Sequence, residues 1–209
     1  MVVERKTERD TGFEEYKIKQ GRKINSKRKR FIDSIPRRRK KFLRLFKIKK
    51  FTQVFPPGQT LCLGARTGCE VWALRQLKHD AIGIDLHPAQ PDDGLVLEGD
   101  WHHIEFPDNK FDNVFTNSID HCYDLSLMSA EVHRVLKPNG IFVVAIADRQ
   151  KLSTKPDKAE YMLSSQNYLF WKSGKDLAKS IISFGFDLDG IFKFRSNWEL
   201  LVFKNKRGL

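Results

Sequence analysis

The sequence predicts an α/β fold, a doubly wound and mostly parallel sheet of seven strands with an antiparallel C-terminal hairpin strand, preceded by a basic segment. Three observations carry this reading. Beyond residue 58, short apolar runs alternate with stretches of helical periodicity, the pattern of a parallel sheet wound with helices. The run 141–146 is almost entirely apolar, as a strand covered on both faces must be. The last two runs, 186–194 and 198–203, are separated only by Arg195, Ser196 and Asn197, which predicts a hairpin.

The N-terminal part reads differently. The formal net charge is +12, and it is unevenly placed. Residues 1–50 hold 20 Lys/Arg against 6 Asp/Glu, whereas 51–209 hold 18 against 20. The whole basic excess therefore sits in 1–50. Such a segment suits an anionic partner, namely RNA, an anionic membrane surface or a phosphorylated substrate; the alternative is a solubilising tail. Residues 1–30 carry few large apolar side chains, so little fixed structure is expected of them alone. From Phe31 the composition changes. Phe42, Leu45 and Phe46 fall at i, i+3 and i+4 among arginines and lysines, which predicts a basic amphipathic helix packed on the α/β domain or lying on an anionic surface. Pro56-Pro57-Gly58 ends it and sets the expected division into a basic, partly helical extension, 1–55, and the α/β domain, 56–209.

Strands are then expected at 60–63, 81–84, 95–97, 111–115 and 141–146, with helices at 70–77, 125–136 and 174–184. No apolar run approaches the length of a membrane span. The N-terminus lacks the apolar stretch of a secretory signal, so a cytoplasmic location is expected. Cys62, Cys69 and Cys122 form an odd set without zinc-type spacing, which argues against a disulfide framework and a structural metal.

Open parallel sheets bind ligands beyond the carboxyl ends of their strands, and the chemistry-bearing residues fall there. The first strand runs into Leu63-Gly64-Ala65-Arg66-Thr67-Gly68 and then a helix. Glycines at such a turn admit close backbone approach, and the helix start offers free N–H groups. The G-x-x-x-G spacing is not that of dinucleotide binders, which argues against a nicotinamide dehydrogenase. Asp85 ends the second strand, 21 residues after Gly64, where an acid grips a ribose diol. Gly99-Asp100-Trp101 ends the third, and offers an acceptor for an adenine amino group beside an indole plane.

On these residues, the segment from Thr60 to Asp148 resembles the Rossmann-like core of class I S-adenosylmethionine (SAM)-dependent methyltransferases, in the group with the small methyltransferase domain. Gly64 and Gly68 match the outer glycines of that family's first turn, D-L-G-x-G-x-G. Cys62 stands where the family usually has an acid, and Arg66 where it often has glycine. Gly83-Ile84-Asp85-Leu86 matches the ribose motif, Glu98-Gly99-Asp100 the adenine side, and Glu131 to Gly140, EVHRVLKPNG, the helix and turn before the fifth strand. The resemblance implies SAM as cofactor, with Asn117 and Ser118 beneath its methionine part. It puts Asp120 and His121 near the donor methyl, with Arg66 reaching the methionine carboxylate. His121 has the reference pKa of a general base for a hydroxyl; the alternative is that it caps a helix or lines a wall. The family's adenine-methylating signature is replaced by Asn117-Ser118-Ile119-Asp120.

The expected activity is methyl transfer to an O or N acceptor of a small, anionic or saccharide substrate. Two rival readings stand beside it: RNA methylation using the basic leader, and an inactive SAM-fold module that binds nucleic acid or membrane. Acceptor choice is expected in the leader and in 151–171, where Tyr161, Tyr168, Phe170 and Trp171 stand among lysines, either stacking on a ring or packing as a lid.

Overall fold

The computed structural model describes residues 4–5, 12–90, 93–147, 169–194 and 198–206. In chain order the strands are β1 (Glu4–Arg5), β2 (Gln59–Leu63), β3 (Asp80–Asp85), β4 (Val96–Glu98), β5 (Phe111–Thr116), β6 (Leu136–Ala147), β7 (Leu169–Phe170), β8 (Phe186–Phe194) and β9 (Trp198–Asn205). The helices are α1 (Gly12–Asp33), α2 (Ile35–Phe46), α3 (Lys49–Val54), α4 (Cys69–Arg75), α5 (Leu125–Val135) and α6 (Gly174–Ile182), with a 3₁₀ turn at Ile119–His121.

Seven strands form one sheet in the order β4-β3-β2-β5-β6-β9-β8. The first five are parallel, and β9 is antiparallel to both neighbours, so the hairpin supplies the one reversed strand that the sequence predicts. Strand order reverses between β2 and β5, which places a crevice at their carboxyl ends. Leu63 pairs with Ile84 on one side and Thr116 on the other. Gly64, Asp85 and Asn117 are therefore brought to one edge by register alone.

Each face of the sheet has its own apolar layer. On one, α5 and α6 bury Met128, Val132, Leu177 and Ile181 against Val114, Phe142 and Val144. On the other, α2, α3 and α4 bury Phe46, Phe51 and Leu74 against Cys62, Phe115 and Val143. Phe115 is the hub there, with the rings of Phe46, Phe42, Phe51 and Phe55 centred 5.1 to 6.4 Å from its own. All three cysteines are free and buried.

Three departures from the sequence reading have physical causes. The leader is not featureless: 12–33 form one long helix, α1, which buries Tyr16, Gln20 and Ile24. Those residues fall at i, i+4 and i+8, a narrow stripe that tertiary packing stabilises where local propensity does not. The fifth expected strand begins early, at Leu136, because Leu136 pairs with Phe111 before the register shifts. The excursion uses Asn139 at φ 61°, a left-handed conformation that asparagine tolerates. Finally, β1 pairs antiparallel with β7 in a separate two-stranded sheet. Most of the aromatic segment expected to help choose the acceptor, with Tyr161 and Tyr168, lies outside the described residues; Trp171 is buried.

Candidate cofactor and transfer site

A cavity of about 260 Å³ opens at the switch point of the sheet. Eleven of the expected residues line it: Gly64, Arg66 and Thr67 after β2, Asp85 and Leu86 after β3, Gly99 and Trp101 after β4, and Asn117, Ser118, Asp120 and His121 after β5. Gly64 has φ 67°, and an added Cβ would come within 2.9 Å of Ser118 and 3.0 Å of Trp101. Both the backbone conformation and the space therefore require glycine. Gly68, at φ 61°, packs on Leu95 and is the N-cap of α4. Ala65 is buried, and its amide donates to Ile84 O. These two shape the turn without lining the cavity.

Asp85 is nearly buried. Its Oδ2 accepts from the Arg66 amide at 3.1 Å and its Oδ1 from the His87 amide at 2.9 Å. Burial pushes its carboxyl up, against the opposing pull of the Arg66 guanidinium and the two amides. Each carboxylate oxygen has a lone-pair direction to spare after these bonds, which is what a vicinal diol needs.

Asp100 does not reach the cavity wall. Its Oδ1 accepts from the His102 amide and from the His102 ring, both at 2.8 Å. The Asp124 amide donates to the other ring nitrogen, Nε2, at 3.1 Å, so Nδ1 is the protonated one. Burial pushes the Asp100 carboxyl up, but the two hydrogen bonds from His102 more than offset it, and the group titrates below its ordinary value. Asp100 thus fixes the turn that carries Gly99 and Trp101.

Sequence reasoning missed one whole wall. Tyr16, Gln20 and Phe31 of α1 and Arg38 of α2 line the cavity, as do Ile84 and His87. The Tyr16 hydroxyl donates to the His121 carbonyl at 2.9 Å. Lys17 O lies 2.9 Å from His87 Nε2, and Arg28 donates to Ala89 O at 2.8 Å. The i, i+4 spacing of Tyr16 and Gln20 is the signal that was available, outweighed by the charge around it.

Behind the glycine turn lies Glu70, 2% exposed. Burial raises its pKa to about 7, against the opposing pull of its own backbone N–H, Arg38 and Arg66. Cys62, at the family's acidic position, packs in the apolar layer, and burial pushes its thiol well up. Arg134 serves the framework: it bonds Glu131, Asp108 and the carbonyls of Ile104 and Phe106 at 2.7 to 2.9 Å.

Residues 61–144, the segment that carries the resemblance to class I SAM-dependent methyltransferases, match the family model for a methyltransferase domain. Its cavity suits that cofactor: glycine where close approach demands it, a carboxylate with two spare acceptor positions, and an indole plane. Solved structures share the fold at low identity. A chain of the Haloferax volcanii complex between the Trm112 methyltransferase activator and its candidate methyltransferase aligns with TM-score 0.69 and 17% identity, over 90% of this chain and 98% of that one. A SAM-dependent methyltransferase from Thermotoga maritima aligns with TM-score 0.65 and 19% identity, over 88% and 100%. Phosphoethanolamine N-methyltransferase 2 from Haemonchus contortus, solved with SAM, aligns with TM-score 0.58 and 18% identity, over 75% and 51%. No curated protein matches by sequence.

Proposed function

We propose that this enzyme methylates an O or N acceptor on a small anionic molecule. One observation carries the reading. Beside the cofactor cavity is a chamber of about 100 Å³, bounded by Asn117, Ile119, Asp120, residues 145–147, Trp171 and Trp198. Asn117 and Asp120 border both spaces. The chamber takes the reacting end of an acceptor and little more.

The bound cofactor supplies an already activated methyl group; the protein's part is alignment and desolvation. In this reading Asp85 holds the ribose and Trp101 lies along the adenine. Arg66 faces the methionine carboxylate, and Asn117 and Ser118 support the chain beneath it. Asp120 orients the acceptor, and His121 takes its proton when the acceptor is a hydroxyl. Phosphomonomethylethanolamine, which the Haemonchus enzyme binds in one of its structures, is a small phosphorylated molecule and agrees with this class.

The test is transfer of labelled methyl from SAM to a panel of sugar phosphates, nucleoside diphosphate sugars, amino acids and RNA transcripts. Label in a small anionic member, lost in His121→Ala with cofactor affinity kept, is the expected result. Label confined to RNA refutes the reading.

A further inference from the structure

The expected basic helix is amphipathic in a way that leaves its charges with a task. α2 buries Phe42, Leu45 and Phe46, so its cations are turned from the sheet. Five of them, Arg37, Arg38, Lys40, Lys41 and Arg44, line a second cleft of about 590 Å³. Its remaining described walls are Phe42, Asn117 and Trp198; no carboxylate is among the described lining residues. This volume lies within the range of small-molecule sites, roughly 300–1,000 Å³.

The cleft is continuous with the transfer site. Arg38 and Asn117 border both it and the cofactor cavity. Trp198 and Asn117 border both it and the small chamber. Asn117 is thus common to all three spaces, and an acceptor lying in the cleft presents its end beside Asp120.

Lys17 and Lys19 of α1 pair with Glu14 and Glu15, whereas Arg37, Arg38, Lys40 and Arg44 form no ion pair with the described residues. Arg38 Nε is shielded from solvent and donates to no described atom, a deficit that an anionic ligand relieves. Arg39 Nε is likewise without a described partner, but its guanidinium lies 5.1 Å from the Trp72 ring centre, outside the cleft. Arg37, Lys40 and Arg44 stand at i, i+3 and i+7, spread along about 10 Å of helix. One phosphate satisfies one or two such cations; a row of this length suits adjacent phosphates. Beside the row, Lys41 Nζ covers one face of Trp198 at 4.5 Å.

We propose that this cleft binds a diphosphate group of the methyl acceptor, with Arg37, Lys40 and Arg44 as its cations and Trp198 beside the group attached to it. The inference rests on the small-anion reading above and names the substrate's recognition element. The leader's partner is then the substrate itself rather than a nucleic acid or a membrane.

Calorimetry on the full chain saturated with S-adenosylhomocysteine tests this, using pyrophosphate, orthophosphate, uridine diphosphate, a single-stranded RNA and phosphatidylserine vesicles. Pyrophosphate should bind at least about tenfold more tightly than orthophosphate, and with a steep salt dependence. The triple variant Arg37→Ala/Lys40→Ala/Arg44→Ala, altered only at exposed positions, should lose about tenfold or more in pyrophosphate affinity while its S-adenosylhomocysteine affinity stays within about twofold. The single variant Arg44→Ala should lose a smaller part of the same affinity. Pyrophosphate affinity that ignores the triple variant overturns the site. RNA or vesicles binding more tightly than pyrophosphate and uridine diphosphate, and losing affinity in the same variant, overturn the ligand class. Methyl transfer to a neutral acceptor untouched by the triple variant overturns the inference and the small-anion reading together. Pyrophosphate binding without transfer to any anionic acceptor leaves this site standing and removes only the proposed acceptor.

Discussion

Replacing Asp85 separates a ribose grip from a structural role. Its two oxygens already hold the amides of Arg66 and His87 at 3.1 and 2.9 Å, and each retains one acceptor position for a ribose hydroxyl. Two charge-assisted bonds at about 1.5 kcal/mol each are about 3 kcal/mol, or roughly 150-fold in Kd. Asp85→Ala should weaken S-adenosylhomocysteine by that order in calorimetry, and Asp85→Asn, which keeps one acceptor oxygen, by about tenfold. The alanine variant also frees two loop amides, so its loss alone is not diagnostic. A 2′-deoxy analogue of the ligand completes a double-mutant cycle. Wild type should bind the deoxy analogue about tenfold more weakly than the parent, and Asp85→Ala should bind the two alike. Equal deoxy penalties in both proteins would refute the ribose assignment.

Two further outcomes rest on the same geometry. Glu70 is held at a folded-state pKa of about 7 against an ordinary 4.5. A raised carboxyl keeps its proton in the fold, so stability is full at low pH and falls as pH rises from about 4.5 to 7. The cost is under about 1 kcal/mol at pH 5 and about 3 kcal/mol at pH 8. Urea titrations of Glu70→Gln and wild type should diverge by about 2.5 kcal/mol over that range, and parallel pH profiles would rule out the burial argument. Tyr16→Phe removes the hydroxyl that bonds His121 O, worth about 1 kcal/mol. It should speed amide exchange in α1 and ligand release several-fold while leaving β5 and β6 protected; unchanged exchange in α1 would count against α1 as a wall held by that contact.

The strand ends were legible because a parallel sheet leaves little choice. Once β2, β3, β4 and β5 are found, register alone brings Gly64, Asp85, Gly99 and Asn117 together. The wall from α1 was not legible, because its helix draws its stability from distant partners. Tyr16 needs the His121 carbonyl, Lys17 the His87 ring and Arg28 the Ala89 carbonyl, and nothing local announces these meetings. Asp100 carried a motif that fits adenine, but His102 occupies its Oδ1, a pairing that only the folded turn reveals. The positions of the α2 charges were legible, and their use was not: the row faces Asn117 and Trp198, which lie far along the chain from it and from each other.

The pairing of Glu4 and Arg5 with Phe170 and Leu169 bears on how the enzyme matures during synthesis. Residues 4–5 leave the ribosome before residues 169–170, so this segment finds its strand partner only after the whole span between them has been made. The partners of α1 come earlier, since His87, Ala89 and His121 all precede β7 in the chain. The long span adds little closure cost beyond that of a moderate loop, so the delay is one of order rather than of energy. The parallel core can assemble early as an open shell. The pairing of β1 with β7 is a late event, and a nascent chain stalled before β7 would lack that clasp.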